Sequence, residues 1–260
     1  MSPSSTRFRR AAGMGLAGLV FIVLGLLFAF RHARSPNPQH ANLVGNELTA
    51  LDAAGRELWQ YRFPDTVQPT DPLVFDREQK PQIHLEDLNG GGKNQVLVAA
   101  SYGRRSETNH DELFCFAPSG RLLWRYQPRN ELNFVGRKAS GPWKMHRVTV
   151  IPEGGKKTVW AVFTDPVFAP AIVTRIDAEG RSGIRYISSG NVNALIGVTR
   201  QNNTFVLAGG INNEYRAASL AVLDSRQTEA VSPQTPGTVL SARIVPVTGR
   251  FCSSYFHARK

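Results

Sequence analysis

The sequence predicts an all-β fold: a β-propeller-like array of about four four-stranded blades, the last incomplete, preceded by one transmembrane helix. Three observations carry this expectation. Residues 11–30, AAGMGLAGLVFIVLGLLFAF, hold no charge. A strand–turn–strand pattern recurs downstream, as AAGRELWQY at 53–61, PSGRLLWRY at 118–126 and AEGRSGIRY at 178–186. A second pattern alternates with it, as GGKNQVLVAAS at 91–101 and GGKKTVWAVFT at 154–164.

The N-terminal elements come first in the chain. At about 1.5 Å per residue, an uncharged run of this length matches the roughly 30 Å hydrocarbon core of a bilayer. It ends in FRHAR, a poor context for signal cleavage, so the run reads as an uncleaved signal anchor. Arg7, Arg9 and Arg10 precede it, and Arg31 and Arg34 follow. This bias favours a cytoplasmic tail at 1–10 and an extracytoplasmic remainder of a single-pass inner-membrane protein. The stretch 31–45, RHARSPNPQHANLVG, has two prolines and no apolar periodicity, and reads as a linker. The repeat domain is then 46–260. Of the net charge of +11, five arginines flank the span; without them 26 basic residues face 20 acidic ones, a balance of +6 with no Lys or Arg run. That argues against a nucleic-acid surface.

In the repeat domain, Gly55-Arg56 recurs as Gly120-Arg121 and Gly180-Arg181, at intervals of 65 and 60. Three residues after each arginine stand Trp59, Trp124 and Ile184, and two further on Tyr61, Tyr126 and Tyr186. Upstream, Leu48, Leu113, Val173 and Leu220 correspond, as do Leu51, Phe116, Ile176 and Leu223. Each unit has the grammar of a β-hairpin. The Trp and Tyr, two positions apart, share a face and are expected to fill the space between stacked sheets. The glycine permits the turn, and the arginine is expected to lay its stem over the hairpin with its charge in water.

In the second family, Val96, Val159 and Phe205 are aligned, and Leu97, Trp160 and Val206, with QNNTFVLAGG at 201–210 as the third version. Two alternating hairpins make a four-stranded module. Short regular strands at this period point to radial repetition. Beyond TVLSARIVPVTGR the apolar alternation is poor, so open sheet edges and self-association through them are expected.

LTALDAAGRELWQY and LFCFAPSGRLLWRY resemble the blade repeat of quinoprotein-type (PQQ-like) β-propellers, and LEDLNGGGKNQVLVA resembles the FG-GAP or VCBS repeat. The resemblance covers about residues 43–245 and implies architecture more than activity. The FG-GAP likeness implies a calcium loop whose first, third, fifth and ninth positions carry oxygen donors. Here those positions are Asp87, Asn89, Gly91 and Gln95, so Asp87 and Asn89 are the weak calcium candidates and a Gly-rich structural turn is the preferred reading. The quinoprotein likeness implies a calcium- and quinone-dependent dehydrogenase as the alternative function, but the cofactor-stacking Trp and the Asp base it needs are not assignable.

No catalytic or cofactor-binding residue stands out elsewhere. Trp143 lies outside the repeated slots and reads as a surface or loop-packing residue. His110, Asp111 and Glu112 read as a solvated loop before a strand. Cys115 aligns with Ala50 as a small core residue, and Cys252 lies in an irregular tail; two such cysteines make no framework. The functional expectation is a membrane-tethered, extracytoplasmic β-propeller that binds or scaffolds an unknown protein or envelope component.

Overall fold

A computed structural model describes residues 36–67, 83–101, 111–129, 131–134, 137–166, 170–226, 229–233 and 240–242. The expected transmembrane span at 11–30 lies outside these residues, as do the tail at 1–10, His110 and Cys252. Among the described residues the chain is all-β, and none of their sheets closes on itself. No helix among them is long and apolar enough to cross a membrane.

The first sheet is a meander of β1 (His40–Val44), β2 (Glu47–Leu51) and β3 (Glu57–Arg62). β1 falls inside the stretch read as linker. HANLV forms it because Ala41 and Leu43 alternate inward onto the core while pairing with Ala50 and Leu48. The second sheet is β4 (Ile83–Glu86), β5 (Gln95–Ala100), β6 (Glu112–Phe116) and β7 (Leu122–Tyr126). β8 (Leu132–Phe134) and β9 (Arg137–Ala139) form a small sheet with the last strand, β18 (Leu240–Ala242). The third sheet is β10 (Lys144–Glu153), β11 (Lys156–Thr164), β12 (Ala171–Ile176) and β13 (Ser182–Ser188). The fourth is β14 (Val192–Arg200), β15 (Asn203–Asn212) and β16 (Ala217–Asp224); β17 (Ala230–Val231) then returns to pair in parallel with β13. The two expected hairpin families thus alternate, and join into four-stranded meanders in the second and third sheets.

Successive sheets pack through three cores. Leu48 of the first sheet meets Val96, Val98, Phe114 and Phe116 of the second. The opposite face of the second sheet, with Leu97, Leu113 and Cys115, meets Val159, Ala161, Phe163 and Ile172 of the third. The third presents Trp160, Val162, Val173 and Tyr186 to Val206, Ala208 and Leu223 of the fourth. The strand period of two explains the alternation: one repeat position faces forward and another back. Phe116, Ile176 and Leu223 all point back, whereas Leu48, Leu113 and Val173 point forward.

The repeated glycine and tryptophan act on each other across sheets. The turns at 52–56, 117–121 and 177–181 share two main-chain hydrogen bonds, for example Gly120 N to Ala117 O at 2.9 Å and Gly180 N to Asp177 O at 3.0 Å. Their glycines are left-handed, with φ of +75°, +86° and +83°. Trp59 lies over Gly120 and donates its indole N–H to Pro118 O at 2.9 Å; Trp124 lies over Gly180 and donates to Ala178 O at 3.1 Å. A Cβ at Gly120 would sit 2.7 Å from Trp59 Cγ, and one at Gly180 2.6 Å from Trp124 Cγ. Glycine is therefore needed twice over, for backbone conformation and for contact. Each indole packs against the core between its sheets on one side and lies over a surface turn on the other, so Trp59 and Trp124 are half-buried.

Four other expectations are corrected. Trp143, read as a surface or loop residue, is fully buried between the second and third sheets. Arg56 and Arg181 do more than cover their hairpins: each guanidinium Nε clips the turn aspartate, at 2.8 Å to Asp52 and 2.6 Å to Asp177. The third member of the second family is shifted by one residue. Val206, not Phe205, takes the place of Val96 and Val159, because Gln201 and Asn202 fill the left-handed turn positions held by Gly154 and Gly155. Finally, Ile184 does not occupy the tryptophan slot. The β-bulge that follows Ala50 in the first hairpin and Cys115 in the second lies between Val173 and Thr174 in the third. Ile184 is thereby turned to the back core, while Tyr186 still faces forward.

Candidate functional site

The loop with the strongest sequence resemblance to a cation site, 87–95, follows β4 and is held by its own side chains. Asp87 accepts main-chain N–H bonds with both oxygens, from Gly91 at 3.0 Å and Gly92 at 2.7 Å. Gln95, at the ninth position, is buried and accepts the Leu88 N–H at 2.8 Å. Asn89 is exposed. Beside the loop, Lys157 of the third sheet places its ammonium 2.7 Å from Glu86 and donates its main-chain N–H to Leu88 O at 3.1 Å. For a cation to bind here, Asp87 and Gln95 would have to exchange these N–H partners for the ion. Among the described residues, no three His, Cys, Asp or Glu side chains are grouped to hold a metal.

Asp111 contradicts the solvated-loop reading. It stands at the entry to β6 with 2% of its surface exposed. Its main-chain N–H donates to Trp143 O at 2.9 Å; its carboxylate accepts Met145 N–H at 2.7 Å and lies 3.3 Å from Lys144 Nζ. Burial pushes this carboxyl above the ordinary range, against the pull of Lys144, the Met145 N–H and Ser101. A carboxylate that fastens the start of β10 to the second sheet explains why a polar residue is buried: it holds Trp143 in the core between them. Glu112, next in sequence, is half-exposed in β6. The signal that sequence reading lacked was the partner strand, 34 residues away.

Cys115 takes the register position of Ala50, each opposite a tryptophan, and is a free buried thiol pushed up to about 12 by desolvation.

The junction of third and fourth sheets closes differently again. Ser188, Ser189, Asn212 and Ser232 are buried together. Ser189 Oγ donates to Asn212 Oδ1 at 3.0 Å and its N–H donates to Ser232 Oγ at 3.0 Å; Asn212 Nδ2 donates to Pro233 O at 3.0 Å. These bonds sew β15 and β17 to the end of β13.

The far face of the fourth sheet carries five of the nine exposed large apolar side chains among the described residues. Ile196 is 57% exposed, Ile211 46%, Leu220 and Val222 44% each and Val198 41%. Leu220 occupies the repeat position at which Leu48, Leu113 and Val173 are each 0% exposed.

No protein-family model matches this chain, and neither does any curated protein.

Proposed function

We propose that the chain is a membrane-tethered, extracytoplasmic module of the β-propeller type that binds or scaffolds a protein or envelope component. The observation that carries this reading is the indole laid over the glycine turn of the following sheet, twice in register. It makes a rigid series of blade-like meanders whose loops and faces are free to vary, which suits a binding platform. The resemblance to quinoprotein-type and FG-GAP blade repeats supports the architecture, and the uncharged run at 11–30 with its flanking arginines supports the tether. Self-association belongs to the same reading.

An export-dependent reporter fused after Lys260 should be active, and a cytoplasmic reporter there silent. The reverse pattern would overturn the orientation. Affinity capture from crosslinked native envelope should return a stable partner, whereas dye reduction by the purified protein with quinone and calcium would replace the binding reading by an enzymatic one.

A further inference from the structure

We infer that the bare face of the fourth sheet is an interface with the same face of a second copy of this chain. The inference rests on the reading above only in taking the chain as a binding module; neither tether nor ligand enters it. The outward residues are Ile196 and Val198 on β14, Phe205, Leu207 and Ile211 on β15, and Leu220 and Val222 on β16. Across the sheet, Ile196 pairs with Leu207 and Leu207 with Val222, so the apolar surface is continuous.

The charges at one end of this face select its occupant. Arg200 ends β14 on one side of the sheet, and Asp224 ends β16 on the other, at the same end. Two copies related by a twofold axis running along β15 place β14 against β16 of the partner, with strands aligned as in ordinary sheet-on-sheet packing. Arg200 of each copy then meets Asp224 of the other, twice, as a second cation beside Arg226, which within each chain already lies 3.4 Å from Asp224 Oδ1. The outward face of the first sheet offers no such match. Beside the exposed Val44 it carries Asn42, Thr49 and Gln60 around an ion pair, Arg62 to Glu47 at 2.9 Å, so a head-to-tail contact would bury polar groups against hydrocarbon.

Size agrees with a specific dimer. With strands about 4.8 Å apart and about 3.4 Å per residue, three strands of roughly eight residues cover about 14 by 27 Å. In projection two such faces cover about 760 Å², and side-chain relief raises this to on the order of 1,000 Å², about the least that a specific interface buries.

The test uses the full chain in intact cells, with benzoylphenylalanine in place of Leu207, on the axis. Irradiation should give an adduct of twice the chain mass, crosslinked within residues 192–224 of the second copy. Val222→Glu should reduce that adduct at least tenfold, and Thr49→Glu on the first sheet should leave it unchanged. Arg200→Asp and Asp224→Arg should each weaken it, and the two together restore it, which a variant that merely misfolds would not do. An adduct to the first sheet, to the same chain or to another protein, or no adduct, would overturn the inference. Loss of export-reporter activity would instead strike the orientation proposed above and leave this result standing.

Discussion

The junctions of the first with the second sheet and of the second with the third are clasped from outside by an indole on a glycine. The junction of third and fourth is not. There, Trp160 is fully buried inside the core, donating its indole N–H to Thr158 Oγ1 at 3.1 Å, and a polar knot of Ser188, Ser189, Asn212 and Ser232 ties the strand ends. One fold thus joins equivalent sheets in two ways. A peripheral clasp depends on one turn and one ring, whereas a core tryptophan depends on the whole surround.

The sharpest way to break the comparison is to truncate tryptophans. Trp143→Ala and Trp160→Ala should each cost about 3–5 kcal/mol in denaturant unfolding of the purified chain, because both rings are fully buried. Trp124→Ala should cost about 2 kcal/mol, since its ring lies half in solvent. Equal costs for all three would mean the clasp is as deep as the core.

Next in size, Gly180→Ala should cost clearly more than Gly55→Ala. Both place alanine at a left-handed φ, worth about 1–2 kcal/mol. Only Gly180 also meets an indole; Gly55 has nothing within 4 Å. Combining Trp124→Ala with Gly180→Ala should return the glycine cost to that of Gly55→Ala, a coupling that a double-mutant cycle reads directly.

Smaller effects follow from charge. Hydrogen bonds from the Arg56 main chain and side chain hold Asp52 below the usual carboxylate range. At Asp177 slight burial works upward, but the bonds from Arg181 outweigh it. Lowered folded values mean stabilisation that is present above the ordinary value of 3.8 and lost as pH falls through the folded one. Asp52→Ala with Asp177→Ala should therefore flatten the decline of melting temperature between about pH 5 and about pH 3. Asp111 has the opposite sign. Its value is raised, so the native protein favours the protonated form, and Asp111→Asn should gain on the wild type as pH rises above 3.8.

The smallest effect is none. With its thiol pushed up to about 12 and buried, Cys115 should resist maleimide in a Cys252→Ser background until denaturant is added.

The hairpins were legible in the sequence because the pattern Leu-x-x-Leu, Gly-Arg and Trp-x-Tyr states face and turn locally. The register of Leu48, Leu113 and Val173 follows from it directly. What the pattern hides is whatever a bulge or a distant partner decides. Ile184 keeps the sequence spacing of Trp124 yet points the other way, because the extra residue is accommodated at Arg185 instead of nearer the turn. Phe205 falls one residue short of the position of Val96 and Val159 because Gln201-Asn202 does the work of two glycines, and a slip of one residue exchanges the faces of a strand. Trp143 and Asp111 looked like loop residues, since nothing near them in sequence shows that they meet in the core. The candidate cation loop shows the reverse: its spacing was plain, but only the structure shows Asp87 and Gln95 spent on their own backbone.

The indole clasp is divided between neighbours: the ring belongs to one repeat and the glycine to the next. Duplicating or deleting a whole repeat therefore leaves every remaining ring facing a glycine, wherever the cut falls within the unit. Losing a ring frees the glycine of the following copy from constraint, and the pair can then decay together. The third hairpin fits that history. Gly183, opposite Arg175, stands where the ring would be, and the next turn, Asp224-Ser225-Arg226, has no glycine.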